Sequence, residues 1–122
     1  MKILEQVGHQ GDTQWFSIDS IPKDAKKINK VFIAASEQSG SVHVLCGEYD
    51  MYELEDGFCV DVLEDCRINH TFKQNVNEEV IKENKELPPK DHRSSILKKG
   101  LYFVGIQRRY DPLQKLWKKV QD

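Results

Sequence analysis

No stretch of this sequence approaches the ~20 consecutive apolar residues that a membrane-spanning helix requires. Its opening, Met1-Lys2-Ile3-Leu4-Glu5-Gln6, lacks the apolar core of a secretory signal, so a cytoplasmic protein without membrane contact is expected. Cysteine is sparse. Cys46, Cys59 and Cys66 are odd in number and show no Cys-x-x-Cys spacing, which argues against a disulfide framework and against a thiolate zinc site. They read as small buried hydrophobes on strands. The sequence has no glycine loop of the kind that cradles phosphates. Nor does a nucleophile-elbow glycine pattern accompany Ser41, Ser94 or Ser95, which disfavours a serine hydrolase. Fixed-period repeats and low-complexity tracts are also missing, and the reading leans away from an enzyme.

What remains is ordinary for a small globular protein: 122 residues, 39% hydrophobic and 31% charged. That length suits a single β-rich domain over 1–122 with one core. The net charge is only −2, but it is divided unevenly. Residues 1–92 hold eighteen acidic against ten basic residues, whereas 93–122 hold eight basic residues against Asp111 and Asp122. Between 48 and 65 there are eight acids and neither Lys nor Arg. Such asymmetry marks either a charged partner or two regions of the chain that lie together and screen each other.

The pattern of apolar residues is that of short strands. Residues 2–7 and 14–18 read as a pair around His9-Gln10-Gly11-Asp12, with Trp15 and Phe16 on opposite faces. Residues 20–30 read as a polar loop around Pro22. The continuous run Val31–Ala35 reads as a central strand covered on both faces, followed by Ser41–Cys46. Asp56-Gly57 between Tyr52–Glu55 and Phe58–Val62 is a hairpin signal, because a type I′ turn needs positive φ; Phe58, Val60 and Val62 would face the core. Cys66–Phe72 adds a strand. Residues 73–93 read as a charged insertion or loop, with Asn77 capping a short surface helix that Pro88-Pro89 ends. Ser94–Leu97 and Leu101–Arg108 read as a second hairpin about Lys98-Lys99-Gly100, with Gly105 marking a bulge or close approach. Asp111-Pro112 opens a short C-terminal helix with Leu113, Leu116, Trp117 and Val120 on one stripe. The expected fold is mainly β: a small barrel or sandwich of antiparallel hairpins with a short surface helix and a short C-terminal one.

Four segments, "HQGDTQWFSIDSIPKDAKK", "AASEQSGSVHVLCG", "DHRSSILKKGLYFVGIQRRYDP" and "WKKVQD", occur in an order that resembles a family of small uncharacterised bacterial and phage β-rich proteins. The family pattern runs Gln-Gly-Asp, Gly-His-x-His, His-x-x-His before a Gly-Tyr strand, then Gln-Arg-Glu-Tyr-x-Pro. Gln10, Gly11, Asp12, Gly40, His43, His92, Gly100, Tyr102, Gln107, Arg108, Tyr110 and Pro112 match it, as does Asp122 with the pattern's closing Asp. Ser41 and Pro89 stand where each histidine pair has its first member, and Arg109 stands in place of Glu. The resemblance implies a layout and no activity. In the family the four histidines look like a metal site. Here His43 and His92 remain, and Asp91, His70 or His9 would have to complete a set for a transition metal such as zinc.

Three functional expectations follow. The first is a non-catalytic binding module, phage-related or derived from a mobile element, that docks on a protein partner. It would use an acidic hairpin (Glu53, Glu55, Asp61) and a basic-aromatic edge (Arg108, Arg109, Tyr110, Lys115, Lys118), with no cofactor. Exposed hairpin edges could also pair two copies into a homodimer. The second is a cupin-like metal protein using His43, His92 and Asp91. The third, less favoured, is nucleotide or nucleic-acid binding through Arg108, Arg109 and Tyr110, which the mildly acidic total charge argues against.

Overall fold

The computed structural model describes residues 1–10, 13–35, 40–87 and 94–106. They form two antiparallel sheets, one short helix and a 3-10 turn, a mainly β architecture. The strands are β1 (Ile3–Gln10), β2 (Thr13–Ile18), β3 (Lys26–Ile28), β4 (Ile33–Ala35), β5 (Ser41–Cys46), β6 (Tyr49–Leu54), β7 (Gly57–Val62), β8 (Cys66–Phe72), β9 (Ser95–Leu97) and β10 (Gly100–Ile106). The larger sheet runs β1-β2-β10-β7-β6-β3 and the smaller one β4-β5-β8-β9. Helix α1 (Glu78–Glu83) follows a 3-10 turn at Lys73–Asn75. Among the described residues, no helix is long and apolar enough to cross a membrane. The expected C-terminal helix lies outside the described residues.

Alternation along the strands sorts side chains into three apolar clusters. The main core joins the two sheets: Trp15, Met51, Val60, Val62, Tyr102 and Val104 from the larger meet Leu45, Cys66, Ile68 and Leu97 from the smaller. Phe32 knits them, with its ring edge-on to Trp15 at 5.1 Å and to Phe58 at 6.3 Å. The larger sheet's other face carries Ile18, Cys59 and Phe103, with Phe16 stacked on Phe103 at 6.4 Å. Buried Trp15 and half-buried Phe16 thus pack on opposite faces, as their adjacency in a strand requires. The third cluster lies under α1, where Ile81 and Leu87 cover Val44 and Cys46.

Each cluster holds one free thiol, so the cysteines do act as small core residues. Burial pushes the Cys66 thiol up to about 12 and the Cys59 thiol up to about 11, and it raises that of Cys46. Thiolate is the reactive species. The native protein should therefore show no reactive thiol to a polar disulfide reagent at pH 8, and all three on denaturation. A single fast equivalent before unfolding would contradict the packing.

Several expectations need correction. Val31–Ala35 does not supply a doubly covered strand: β4 lies at the edge of the smaller sheet, with Val31 and Ile33 each 46% exposed. The doubly covered strand is β5, all six of whose residues are buried, because α1 covers its outer face. The 20–30 loop contains β3, which pairs with β6 through Lys26↔Glu53. The β6–β7 hairpin is present with Leu54 opposite Gly57, but neither Asp56 nor Gly57 has positive φ, so no type I′ turn forms. Asn77 does cap α1, accepting the Val80 N–H at 2.9 Å. The helix then stops at Asn84, in the left-handed conformation at φ 55°, before the prolines are reached.

The largest correction concerns the second hairpin. β9 pairs with β8 in the smaller sheet, while β10 inserts between β2 and β7 in the larger. Lys98 and Lys99 form a two-residue crossover between sheets. It is held at both positions: Tyr102 Oη donates to the Lys98 carbonyl at 2.6 Å, and Asp65 Oδ1 accepts the Lys99 N–H at 2.9 Å. That amide, aided by the Lys98 ammonium, holds the Asp65 carboxyl below its ordinary range.

Candidate functional site

His43 lies in the middle of β5, and the β5–β8 register places it directly across from His70. The same register puts Ser41 and His43 on the face that continues into Leu45, and His70 on the face that continues into Ile68. The inner face of the smaller sheet is therefore apolar at one end and polar at the other. His43 is 1% exposed and His70 6%, with ring centroids 4.3 Å apart and planes inclined by 15°. Of the two described candidates to accompany His43, His70 and His9, His70 is the one the fold brings to it. His9, in β1, stands opposite Gln14 in the other sheet.

Nearly parallel stacking bears on metal binding. Imidazole lone pairs lie in the ring plane, so two stacked rings aim their nitrogens side by side and do not converge on one point. A zinc ion needs nitrogens at about 2.0–2.1 Å in tetrahedral disposition. As placed, His43 and His70 do not make a two-imidazole ligand set. Among the described residues, no group of three His, Cys, Asp or Glu side chains is arranged to hold a metal. His92 and Asp91 lie outside the described residues, as do Arg108, Arg109, Tyr110, Lys115 and Lys118.

The acidic hairpin is described in full. Glu53 and Glu55 are exposed at its tip, and Asp61 is half-buried on the outer face of β7. The register sets Asp61 directly across from Asp50, with Leu101 on its other side. Like charges facing each other across strands destabilise a sheet. Lys27 approaches Asp50 at 3.8 Å, and both side chains are well solvated, so this contact offsets little. Among the described residues, no Lys or Arg forms an ion pair with Glu48, Glu53, Glu55, Asp61 or Glu64.

Two structurally decisive residues carried no sequence signal. Asn69, 1% exposed on the outer face of β8, donates to the Lys85 carbonyl at 2.9 Å and to Cys46 Sγ at 3.4 Å. Its Oδ1 accepts the Leu87 N–H at 3.0 Å. One buried amide thus fastens residues 85–87 across the sheet. Tyr49 bridges the sheets: its hydroxyl accepts the Phe32 N–H at 3.1 Å and donates to the Leu45 carbonyl at 2.8 Å. Burial raises the Tyr49 phenol far above its usual range, which keeps it a donor. A helix-capping or catalytic pattern would have been searchable in sequence. A side chain that replaces a ladder bond is not.

Comparison with protein families, with curated proteins and with solved structures finds no match for this chain.

Proposed function

We propose that this chain is a non-catalytic binding module that docks on a protein partner through the acidic β6–β7 hairpin, on a small sandwich-like scaffold. The observation that carries this reading is Asp50 facing Asp61 on one face of a hairpin whose tip exposes Glu53 and Glu55. That arrangement costs the isolated fold, and a cationic partner surface would relieve it. The basic-aromatic segment with Arg108, Arg109, Tyr110, Lys115 and Lys118 is the second arm of the proposal, presenting the opposite sign to a partner.

The two aspects of Asp61 give the test. Asp61→Asn should stabilise the free protein by about 0.5 kcal/mol, since it removes a cross-strand repulsion. Measured by calorimetry against a synthetic Lys-rich decapeptide, the triple variant Glu53→Gln/Glu55→Gln/Asp61→Asn should bind about tenfold more weakly than the parent. The parent's affinity should fall steeply with salt. An unchanged affinity in the triple variant, or a parent titration that is flat, would dispose of the hairpin as a docking surface.

A further inference from the structure

A groove of about 760 Å³ opens at the end of β5, between α1 and the chain leading into β4. Lys30 and Val31 line it from one wall and Ile81 and Lys82 from the other, with Gly47 and Tyr49 at the corner that joins β5 to β6. That corner fastens both walls. The Tyr49 hydroxyl accepts the N–H of Phe32, the residue after Val31, at 3.1 Å and donates to the Leu45 carbonyl at 2.8 Å. Gly47 N–H donates to the Ile81 carbonyl at 2.7 Å. Each wall is thus tied to the corner by a hydrogen bond, so the groove is formed before any ligand arrives, as most small-molecule sites are.

The lining has an apolar part and a charged part. Val31 is 46% exposed, Tyr49 is half-buried and Ile81 is buried, so an aliphatic pair and an aromatic ring border the same space. Lys30 and Lys82 are exposed, one on each wall, and neither forms an ion pair among the described residues. Their neighbours in sequence do: Lys27 approaches Asp50, and Lys85 approaches Glu83. Glu78, about one helical turn before Lys82, is the one acid among the described lining residues, and no ion pair joins the two. The described lining therefore carries one surplus positive charge beside apolar surface.

We propose that this groove binds a small monocarboxylate with an apolar body. The body lies against Val31, Tyr49 and Ile81, and the Lys30 and Lys82 ammonium groups take the carboxylate. Apolar walls with a few polar groups that fix orientation are what a small-molecule site is built from. The surplus of one positive charge suits a monoanion and not a dianion. The site shares no residue with the acidic hairpin and selects the opposite charge.

The probe is 2-naphthoate, with 2-naphthamide, 2-naphthylmethylammonium and 2-naphthyl phosphate as counterparts, titrated into the full chain and followed by amide NMR shifts. 2-Naphthoate should give saturable shifts at residues 29–31, 47–49 and 78–82, and the ammonium compound should bind at least about tenfold more weakly. Lys30→Gln/Lys82→Gln alters only exposed side chains, so the fold should survive it. It should weaken 2-naphthoate by about tenfold and leave 2-naphthamide unchanged. Val31→Ser should weaken both, because it removes apolar contact and no charge. Glu53→Gln/Glu55→Gln/Asp61→Asn should weaken neither, which separates this site from the hairpin. The proposal is overturned by an absence of saturable shifts at those residues, by equal affinity for the ammonium compound, or by a lysine double variant that binds 2-naphthoate as the parent does. Tighter binding of the phosphate than of 2-naphthoate overturns it as well, since the site would then be built for a dianion.

Discussion

Gly57→Ala is expected to cost this protein about 3 kcal/mol or more, the upper end of what overpacking a well-filled interior costs. A Cβ built on Gly57 falls 2.2 Å from the Val104 carbonyl oxygen and 3.2 Å from its carbon. Both are backbone atoms of the neighbouring strand β10, and no rotamer change can move them aside. Relief requires β7 and β10 to separate, at the point where Gly57 faces Gly105. Gly8→Ala provides the control, because among the described residues its added methyl would meet only Trp15 Cβ, at 3.9 Å. In urea titrations the Gly57 variant should lose most of its stability, while Gly8→Ala stays within about 0.5 kcal/mol of the parent. Equal midpoints for the two variants would mean that β7 and β10 are not in this register.

Asn69→Leu should detach the 84–87 segment and α1 before it unfolds the rest. Leucine fills a similar volume but leaves the Lys85 carbonyl and the Leu87 N–H without their buried partner. An unsatisfied buried group costs roughly 1–3 kcal/mol, so two of them set a penalty of several kcal/mol. The segment can escape that penalty by swinging into water. Its ceiling is the free energy of exposing Ile81 and Leu87, which cover Val44 and Cys46. Amide exchange should therefore accelerate at least tenfold across 78–87, with much smaller changes at Val60 and Val104 in the main core. Labelling of Cys46 should accelerate in parallel, ahead of Cys59 and Cys66. Uniform acceleration across the protein would show instead that this layer opens only with the whole fold.

The elements governed by local chemistry were legible in the sequence. Alternation located β2, β7 and β8, and Asn77 with two acids after it located the start of α1. What escaped was partner choice between strands. Leu97 and Gly100 are three residues apart, and nothing local distinguishes a hairpin from a crossover between sheets. Asp65 and Tyr102, which pin that crossover, are remote from it in sequence or unremarkable within it. The edge position of β4 escaped for a related reason. A run of five apolar residues reads as doubly covered, yet coverage depends on where α1 lands, and Ile81 lands on β5.

For the candidate site, His43 was singled out in the sequence and His70 was one of three residues offered to complete its set, but their direct pairing across β5 and β8 was not legible. His43 lies thirteen residues before Asp56, and His70 thirteen after Gly57, so β5 and β8 are nested around the β6–β7 hairpin. Extending that hairpin's register outward would pair His43 with Ile68. The corners at Gly47–Glu48 and 63–65 shift the pairing by two, which preserves the face and brings His70 across. Gly47 makes its corner at φ 117°, where an added Cβ would lie 2.7 Å from Cys66 Sγ. Only the packed corner decides the shift, and corners of this kind have no periodic signature. The two strands of the acidic hairpin were legible, because charge and alternation are both local, while its turn was not.

The position of β10 has a consequence for the order in which the molecule can assemble. The last described strand lies in the interior of the larger sheet, between β2 and β7, which are far apart in the chain. Until it is in place, β1–β2 and β7–β6–β3 are two separate ribbons whose inward edges lie open. During synthesis that interval lasts until residue 106 has left the ribosome. The nested β5–β8 unit, by contrast, is complete some thirty residues earlier. The larger sheet therefore closes only once residue 106 has emerged, through contacts of long sequence separation that make folding slow and leave edges briefly open to misassembly.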